Sequence, residues 1–288
     1  MEGQLDVRTA LQRVIDIVST RDSGIGDSQF AESIVAAAKD LLRKVPQDRS
    51  QPMEPALERY IWDFCRFVLQ DFPAVFRLPF QILNLNPMFA DGNQQFDVMY
   101  EHQDAWAAEW LFRLRPDFFV DVGSRVCFVG IVSRAIPCIA IDARPTPLRM
   151  DNLDYRVGEG QCLPFEDGSV PALTCLHAVE HFGLGRYGDT VDNTGWVKGF
   201  AEFRRVLMPG GWLFVSTPVR GVPAVQFNAQ YLFTPEVIKD QFSPWGVQDE
   251  QFLWPSPVSP EEHILHMDTD PGYGTYCALF RKPKQSNL

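Results

Sequence analysis

Two periodicities divide this chain. Up to about residue 116, apolar residues recur every three or four positions, the spacing of one helix face. Leu11, Val14, Ile15 and Val18 form such a stripe within RTALQRVIDIVST. QFAESIVAAAKDLLRKV carries a second, with Asp27 and Ser28 placed to cap it. MEPALERYIWDFCRFVLQDF carries a third through Leu57, Tyr60, Ile61, Phe64 and Phe67. These stripes read as packing faces. Residues 73–99 are rich in Pro and Asn and read as an irregular connection. YEHQDAWAAEWLFRLRP then predicts one more helix, stopped at Pro116 because the residue before a proline disfavours helix.

From residue 118 the pattern shortens to apolar runs that end in polar turns. FFVDVG and PCIAIDAR predict two strands, each closing on an Asp. DYRVGEG, PALTCLHA and GGWLFVSTPV predict three more, and WVKGFAEFRRVLMPGG is an amphipathic helix ended by Pro and Gly. Alternation of strand and helix implies a parallel sheet with crossover helices. VQDEQFLW and GTYCALFRK predict two late strands, the second finishing the sheet in antiparallel sense. The expectation is therefore α/β: a Rossmann-like parallel sheet with a C-terminal antiparallel strand over residues 96–288, preceded by a helical region over 1–95.

Composition narrows the function. With 45% hydrophobic and 22% charged residues the chain is an ordinary globular one. The formal net charge of -11 repels phosphate backbones and anionic bilayers, so nucleic acid and membrane are not expected partners. No apolar run approaches the roughly 20 residues that span a bilayer. The first residues, MEGQLDVRTALQRV, lack the basic and apolar regions of a signal peptide. Six cysteines without a CxxC pair, most in apolar runs, read as buried reduced thiols of a cytoplasmic protein.

In an open parallel sheet, ligands bind beyond the carboxyl ends of the strands. The first strand ends Asp121-Val122-Gly123-Ser124-Arg125, where Gly123 permits a tight turn and the following amides face outward. Asp142 ends the second strand nineteen residues after Gly123. A carboxylate at that spacing accepts both hydroxyl protons of a ribose, which points to a nucleoside ligand.

GEGQCLPFEDGSV, LTCLHAVEHF and FAEFRRVLMPGGWLFVSTP together resemble the class I S-adenosylmethionine (SAM) dependent methyltransferases, above all the ubiquinone-biosynthesis-like group. The likeness spans roughly residues 95–282. DVGSRV, CLHAVEHFGLGRYGD and FNAQYLFTPE are also similar to an uncharacterised methyltransferase-like family, some of whose members sit among genes for surface polysaccharide. The resemblance implies SAM as cofactor. It assigns Asp121, Gly123 and Ser124 to the methionine end, Asp142 to the ribose, Glu159 and Gln161 to the adenine, and His177 to the neighbourhood of the sulfonium. Arg125 departs from the family's second loop glycine, Cys127 from its third, and Pro171 from the acid that opens the fourth strand.

Methyl transfer to an alcohol depends on positioning and gains from a general base. His181 is the expected base, with Asp189 as orienting partner or alternative base and Arg186 holding a hydroxyl-rich or anionic group. No spacing of His and carboxylate implies a metal. The expected function is methylation of oxygen on a small-molecule or saccharide acceptor. The competing reading is a degenerate methyltransferase fold that serves as a binding or scaffolding protein, with Arg125 as its support. The N-terminal helices are expected to pack on the catalytic half or to form a homodimer.

Overall fold

The computed structural model describes residues 6–20, 28–46, 53, 55–70, 81–82, 98–253 and 273–284. Three helices lead: α1 (Val7–Thr20), α2 (Ser28–Lys44) and α3 (Pro55–Val68). The α1 stripe is buried as its spacing requires, and so are Tyr60, Ile61, Phe64 and Phe67 of α3. The cap expected at Asp27 lies outside the described residues, as does the 73–99 connection except for Gln81–Ile82 (β1) and the first residues of the next helix. That helix, α4 (Val98–Leu114), stops before Pro116, with Arg115 at φ 46°.

Strand and helix then alternate: β2 (Phe119–Val122), α5 (Val126–Val132), β3 (Cys138–Asp142), β4 (Leu153–Val157), β5 (Val170–Leu176), a 3-10 turn (Val179–His181), α6 (Gly195–Val206) and β6 (Leu207–Val219). A hairpin, β7 (Ala224–Phe227) and β8 (Gln230–Leu232), precedes α7 (Pro235–Gln241), β9 (Gly246–Leu253) and β10 (Gly274–Arg281). The main sheet has seven strands in the order β4-β3-β2-β5-β6-β10-β9. Its first five are parallel, and β10 runs antiparallel to both β6 and β9.

The fold is thus a Rossmann-like sheet with an antiparallel C-terminal strand. One detail differs from the expectation: β10 lies inside the sheet and β9 forms the edge. Burial explains it. Thr275 to Phe280 are all buried, as an apolar run covered on both faces must be, whereas β9 is exposed or half-buried throughout.

One face of the sheet packs against α6, α7 and the N-terminal helices in a single hydrophobic cluster. Phe227 of β7 meets Tyr60, Phe64 and Phe67 of α3 at ring separations of 5.5, 5.9 and 4.9 Å. Tyr60 also donates its hydroxyl to the Phe227 carbonyl at 2.9 Å. Each such buried ring contributes about 2–3 kcal/mol through burial. β1 pairs in parallel with β7, so residues before 95 complete a second, three-stranded sheet with the hairpin. The opposite face carries α4 and α5. Trp106 and Trp110 of α4 both donate to the Asp249 carboxylate on β9, at 2.8 and 2.7 Å, which lays α4 across the sheet.

Cys65, Cys138, Cys175 and Cys277 are buried thiols, but Cys127 and Cys162 are exposed. The last two fall on a loop-proximal helix turn and in the segment after β4, where an apolar sequence neighbour does not guarantee cover. No described helix is long and apolar enough to cross a membrane.

Candidate active site

The chain leaves β2 toward β3 and β4 on one side, then crosses to β5 on the other, which opens a crevice beyond the ends of β2 and β5. Backbone bonds tie the loops at this edge together. The Gly123 amide donates to Ile141 at 2.9 Å, and the Gly158 amide donates to Asp142 at 3.0 Å. Gly123, Asp142 and Glu159 therefore stand side by side at one end of three adjacent strands.

Gly123 adopts φ +73°, and a Cβ there would lie 2.8 Å from the Ala178 Cβ. Gly160 is equally constrained, since a Cβ would meet the Phe182 ring at 2.4 Å. Both glycines let the loops close on the turn after β5.

Asp121 and Ser124 face inward. Asp121 accepts from the Thr174 hydroxyl at 2.6 Å and from the Ser124 amide at 3.1 Å. Ser124 Oγ accepts from the Leu176 amide at 3.1 Å. Their polar side-chain atoms join β2 to β5 across the crevice. Burial pushes the Asp121 carboxyl up to about 7, against the opposing hydrogen bonds.

Asp142 is almost fully covered by Arg144. The guanidinium donates through Nε to Oδ1 at 2.9 Å and through Nη2 to Oδ2 at 2.7 Å, and the Arg144 amide adds 2.8 Å to Oδ1. Arg144 also lies 4.8 Å over the Tyr187 ring. Glu159 is exposed and Gln161 half-buried on the rim after β4.

Arg125 fills no part of the loop between Gly123 and β5. Its guanidinium reaches α4, with 2.7 and 3.0 Å to Asp104, 2.9 Å to Glu101 and 5.2 Å to the Tyr100 ring centre. Neither Arg125 nor Asp121 pairs with the other.

The segment after β5 holds the residues expected to do chemistry. His181 is buried, and its Nδ1 lies 2.6 Å from the Ala229 carbonyl. That contact fixes the ring proton on Nδ1 and turns Nε2 toward Glu180, at 3.8 Å. Burial lowers the His181 basicity. Arg186 donates to the same carbonyl at 2.8 Å, so two donors clamp the β7–β8 turn. Asp189 does not touch His181. It accepts from the amides of Gly183 at 3.0 Å, Gly185 at 3.4 Å and Tyr187 at 3.2 Å, bracing its own loop. His177, at φ 52°, lies with Nε2 2.9 Å from the Thr275 hydroxyl and Nδ1 3.0 Å from Glu180. The Tyr100 ring lies 4.9 Å away, tilted by 48°.

Sequence reasoning thus missed four residues: Tyr100, Arg144, Glu180 and Thr275. An arginine two positions after the strand-end Asp142 was a readable signal. Thr275 carried none, because 98 residues separate it from His177. Among the described residues no group of three His, Cys, Asp or Glu is placed to hold a metal ion.

The GEGQCLPFED loop is held from behind. Arg205 donates to the Leu163 carbonyl at 3.0 Å, the Phe165 carbonyl at 2.8 Å and the Asp167 and Glu202 carboxylates, while Glu202 accepts from the Leu163 amide at 2.8 Å.

Comparison with known proteins adds the following. A family model described as Caenorhabditis protein of unknown function, DUF268, matches residues 170–239, from β5 to α7. No curated protein matches the chain. Similar solved structures include the Burkholderia thailandensis 1,6-didemethyltoxoflavin-N1-methyltransferase with bound S-adenosylhomocysteine (11% identity, TM-score 0.47, covering 65% of this chain and 79% of that one). Another is the geranyl diphosphate C-methyltransferase of Streptomyces coelicolor A3(2) (15% identity, TM-score 0.44, 66% and 84%). A third is the [4+2]-cyclase SpnF (14% identity, TM-score 0.46, 63% and 81%).

Proposed function

We propose that this protein is a SAM-dependent methyltransferase acting on an oxygen of a small-molecule or saccharide acceptor in the cytoplasm. The observation that carries the reading is the alignment of Gly123, Asp142 and Glu159 at one edge of three hydrogen-bonded strands, next to the crevice beyond β2 and β5. The donor set fits the cofactor. Asp142 already accepts donors on both oxygens, as a ribose diol requires. Glu159 and Gln161 take the adenine edge, and the turn at Gly123 takes the methionine end. When bound, SAM supplies an electrophilic methyl group. The chain's own residues position the acceptor beside it, with the clamped β7–β8 turn and Arg186 on the acceptor side.

A second reading has an observation of its own. Asp121 and Ser124 spend their side chains on β5, and Arg144 covers Asp142, which is the pattern of a fold retained for binding and not for catalysis. Calorimetric titration with S-adenosylhomocysteine decides between the two. The methyltransferase reading expects micromolar affinity, weakened at least about tenfold by Asp142→Ala, the loss of a charge-assisted hydrogen-bond pair. A flat trace from folded protein leaves the scaffold reading.

A further inference from the structure

Glu180 is fully buried. A carboxylate in that position is costly unless charge sits beside it. Two imidazole nitrogens lie beside it: His177 Nδ1 at 3.0 Å and His181 Nε2 at 3.8 Å. Burial pushes the Glu180 carboxyl up, yet the two imidazoles outweigh it and hold the group below the ordinary glutamate range.

The two histidines are not equivalent. His181 is committed through Nδ1 to the Ala229 carbonyl, and its other nitrogen faces Glu180. His177 presents Nδ1 to the carboxylate, which places the ring hydrogen there, since a lone pair would be repelled. Its Nε2 is then the basic nitrogen, 2.9 Å from the Thr275 hydroxyl, which also lies 3.5 Å from Met99 Sδ of α4. The result is a carboxylate, an imidazole and a hydroxyl in line, the arrangement by which a buried acid fixes a base's tautomer and stabilises its protonated form. His177 stands at the carboxyl end of β5, beside the crevice, under the Tyr100 ring of α4.

We propose that His177 is the proton acceptor of this site and that Glu180 is its positioning residue. The proposal rests on the methyltransferase reading and moves the role of base from His181 to His177. As the acceptor oxygen takes up the methyl group, the methyl's bond to the sulfonium sulfur would break with its electron pair left on a neutral thioether, and the acceptor's proton would pass to Nε2. The imidazolium is balanced by Glu180 until the proton leaves to water. Tyr100 lies 4.9 Å from the His177 ring and Met99 Sδ 3.5 Å from the Thr275 hydroxyl, so the acceptor's way to Nε2 runs past the first turn of α4.

The titratable and charged groups around His177 are Glu180 and His181 from the turn, and Tyr100 from α4 with Arg125 on that ring as well; β10 contributes Thr275, a neutral neighbour. Long-range nitrogen–proton NMR of the imidazoles tests the tautomer in the full chain, with His177 assigned by its loss in His177→Gln. The free protein should show His177 protonated on Nδ1 when neutral. Glu180→Gln should abolish that preference, Glu180→Asp should restore part of it, and Thr275→Val should leave the tautomer intact. If Glu180→Gln does not fold, Thr275→Val and the wild type still decide. A neutral His177 protonated on Nε2 overturns the proposal.

The second measurement compares the imidazole nitrogen shifts of His177 with SAM and with S-adenosylhomocysteine bound. A sulfonium charge near the base should displace them relative to the neutral product. Identical shifts in two saturated complexes place His177 away from the methyl group and overturn the proposal. If neither compound binds, the methyltransferase reading itself fails, and the free-protein tautomer reports separately on the Glu180–His177 pair.

Discussion

Arg144 closes over Asp142 with both arms of its guanidinium, at 2.9 and 2.7 Å, so the strand-end acid proposed for a ribose is held by its neighbour two residues on. Asp142 is 7% exposed and the Arg144 side chain 51%, so the arginine end of the pair is the one able to swing into water. A ligand that uses Asp142 must displace it.

Removing the arginine should therefore tighten nucleoside binding. Arg144→Ala is expected to improve S-adenosylhomocysteine affinity several-fold in calorimetry and to lower the stability of the free protein by about 1 kcal/mol, as for a half-exposed bidentate pair. An affinity that falls with Arg144→Ala would mean that Arg144 holds the ligand and does not merely cover its site.

Asp121 makes folding pH-dependent. Its folded pKa of about 7 lies above that of an unfolded aspartate, so its contribution is fully present below the unfolded value and is lost as pH rises through about 7. Asp121→Asn keeps both partners, accepting from the Ser124 amide and donating to the Thr174 hydroxyl. The variant should gain on the wild type between pH 5 and pH 8, by on the order of 3 kcal/mol. Urea denaturation at the two pH values checks the sign; a constant difference would show that Asp121 stays ionised throughout.

Arg125 latches α4 to the loop after β2 through Glu101, Asp104 and Tyr100. Arg125→Gly removes the latch. Amide exchange over residues 98–106 should accelerate at least about fivefold, with roughly 1–2 kcal/mol lost globally. Unchanged exchange there would assign the hold on α4 to Trp106 and Trp110 alone.

Arg205 braces the Leu163–Asp167 loop by bonds to two carbonyls and two carboxylates. Arg205→Ala should cost about 2 kcal/mol in thermal or urea unfolding. Arg205→Lys should recover little of it, because an ammonium cannot reproduce the planar fork. Full recovery by lysine would reduce the role of Arg205 to its charge.

Periodicity alone determined the helix faces of α1 to α3, the strands that end at Asp121 and Asp142, and the alternation that makes the sheet parallel. Those features depend on which side of a local element meets the core, and three- or two-residue spacing records that directly. The identity of the candidate site's edge was legible for the same reason: glycine and acid stand at strand ends, and the parallel sheet brings them together.

Tertiary structure decided what those residues touch. Asp189 lies in a glycine-rich loop close to His181 in sequence, yet it turns to three backbone amides. His181 goes to a carbonyl 48 residues away, and His177 to a hydroxyl 98 residues away. The placement of β10 inside the sheet and the union of β1 with β7 are of the same kind. A side chain's partner is set by which elements pack side by side, and spacing along the chain carries no record of contacts made across it.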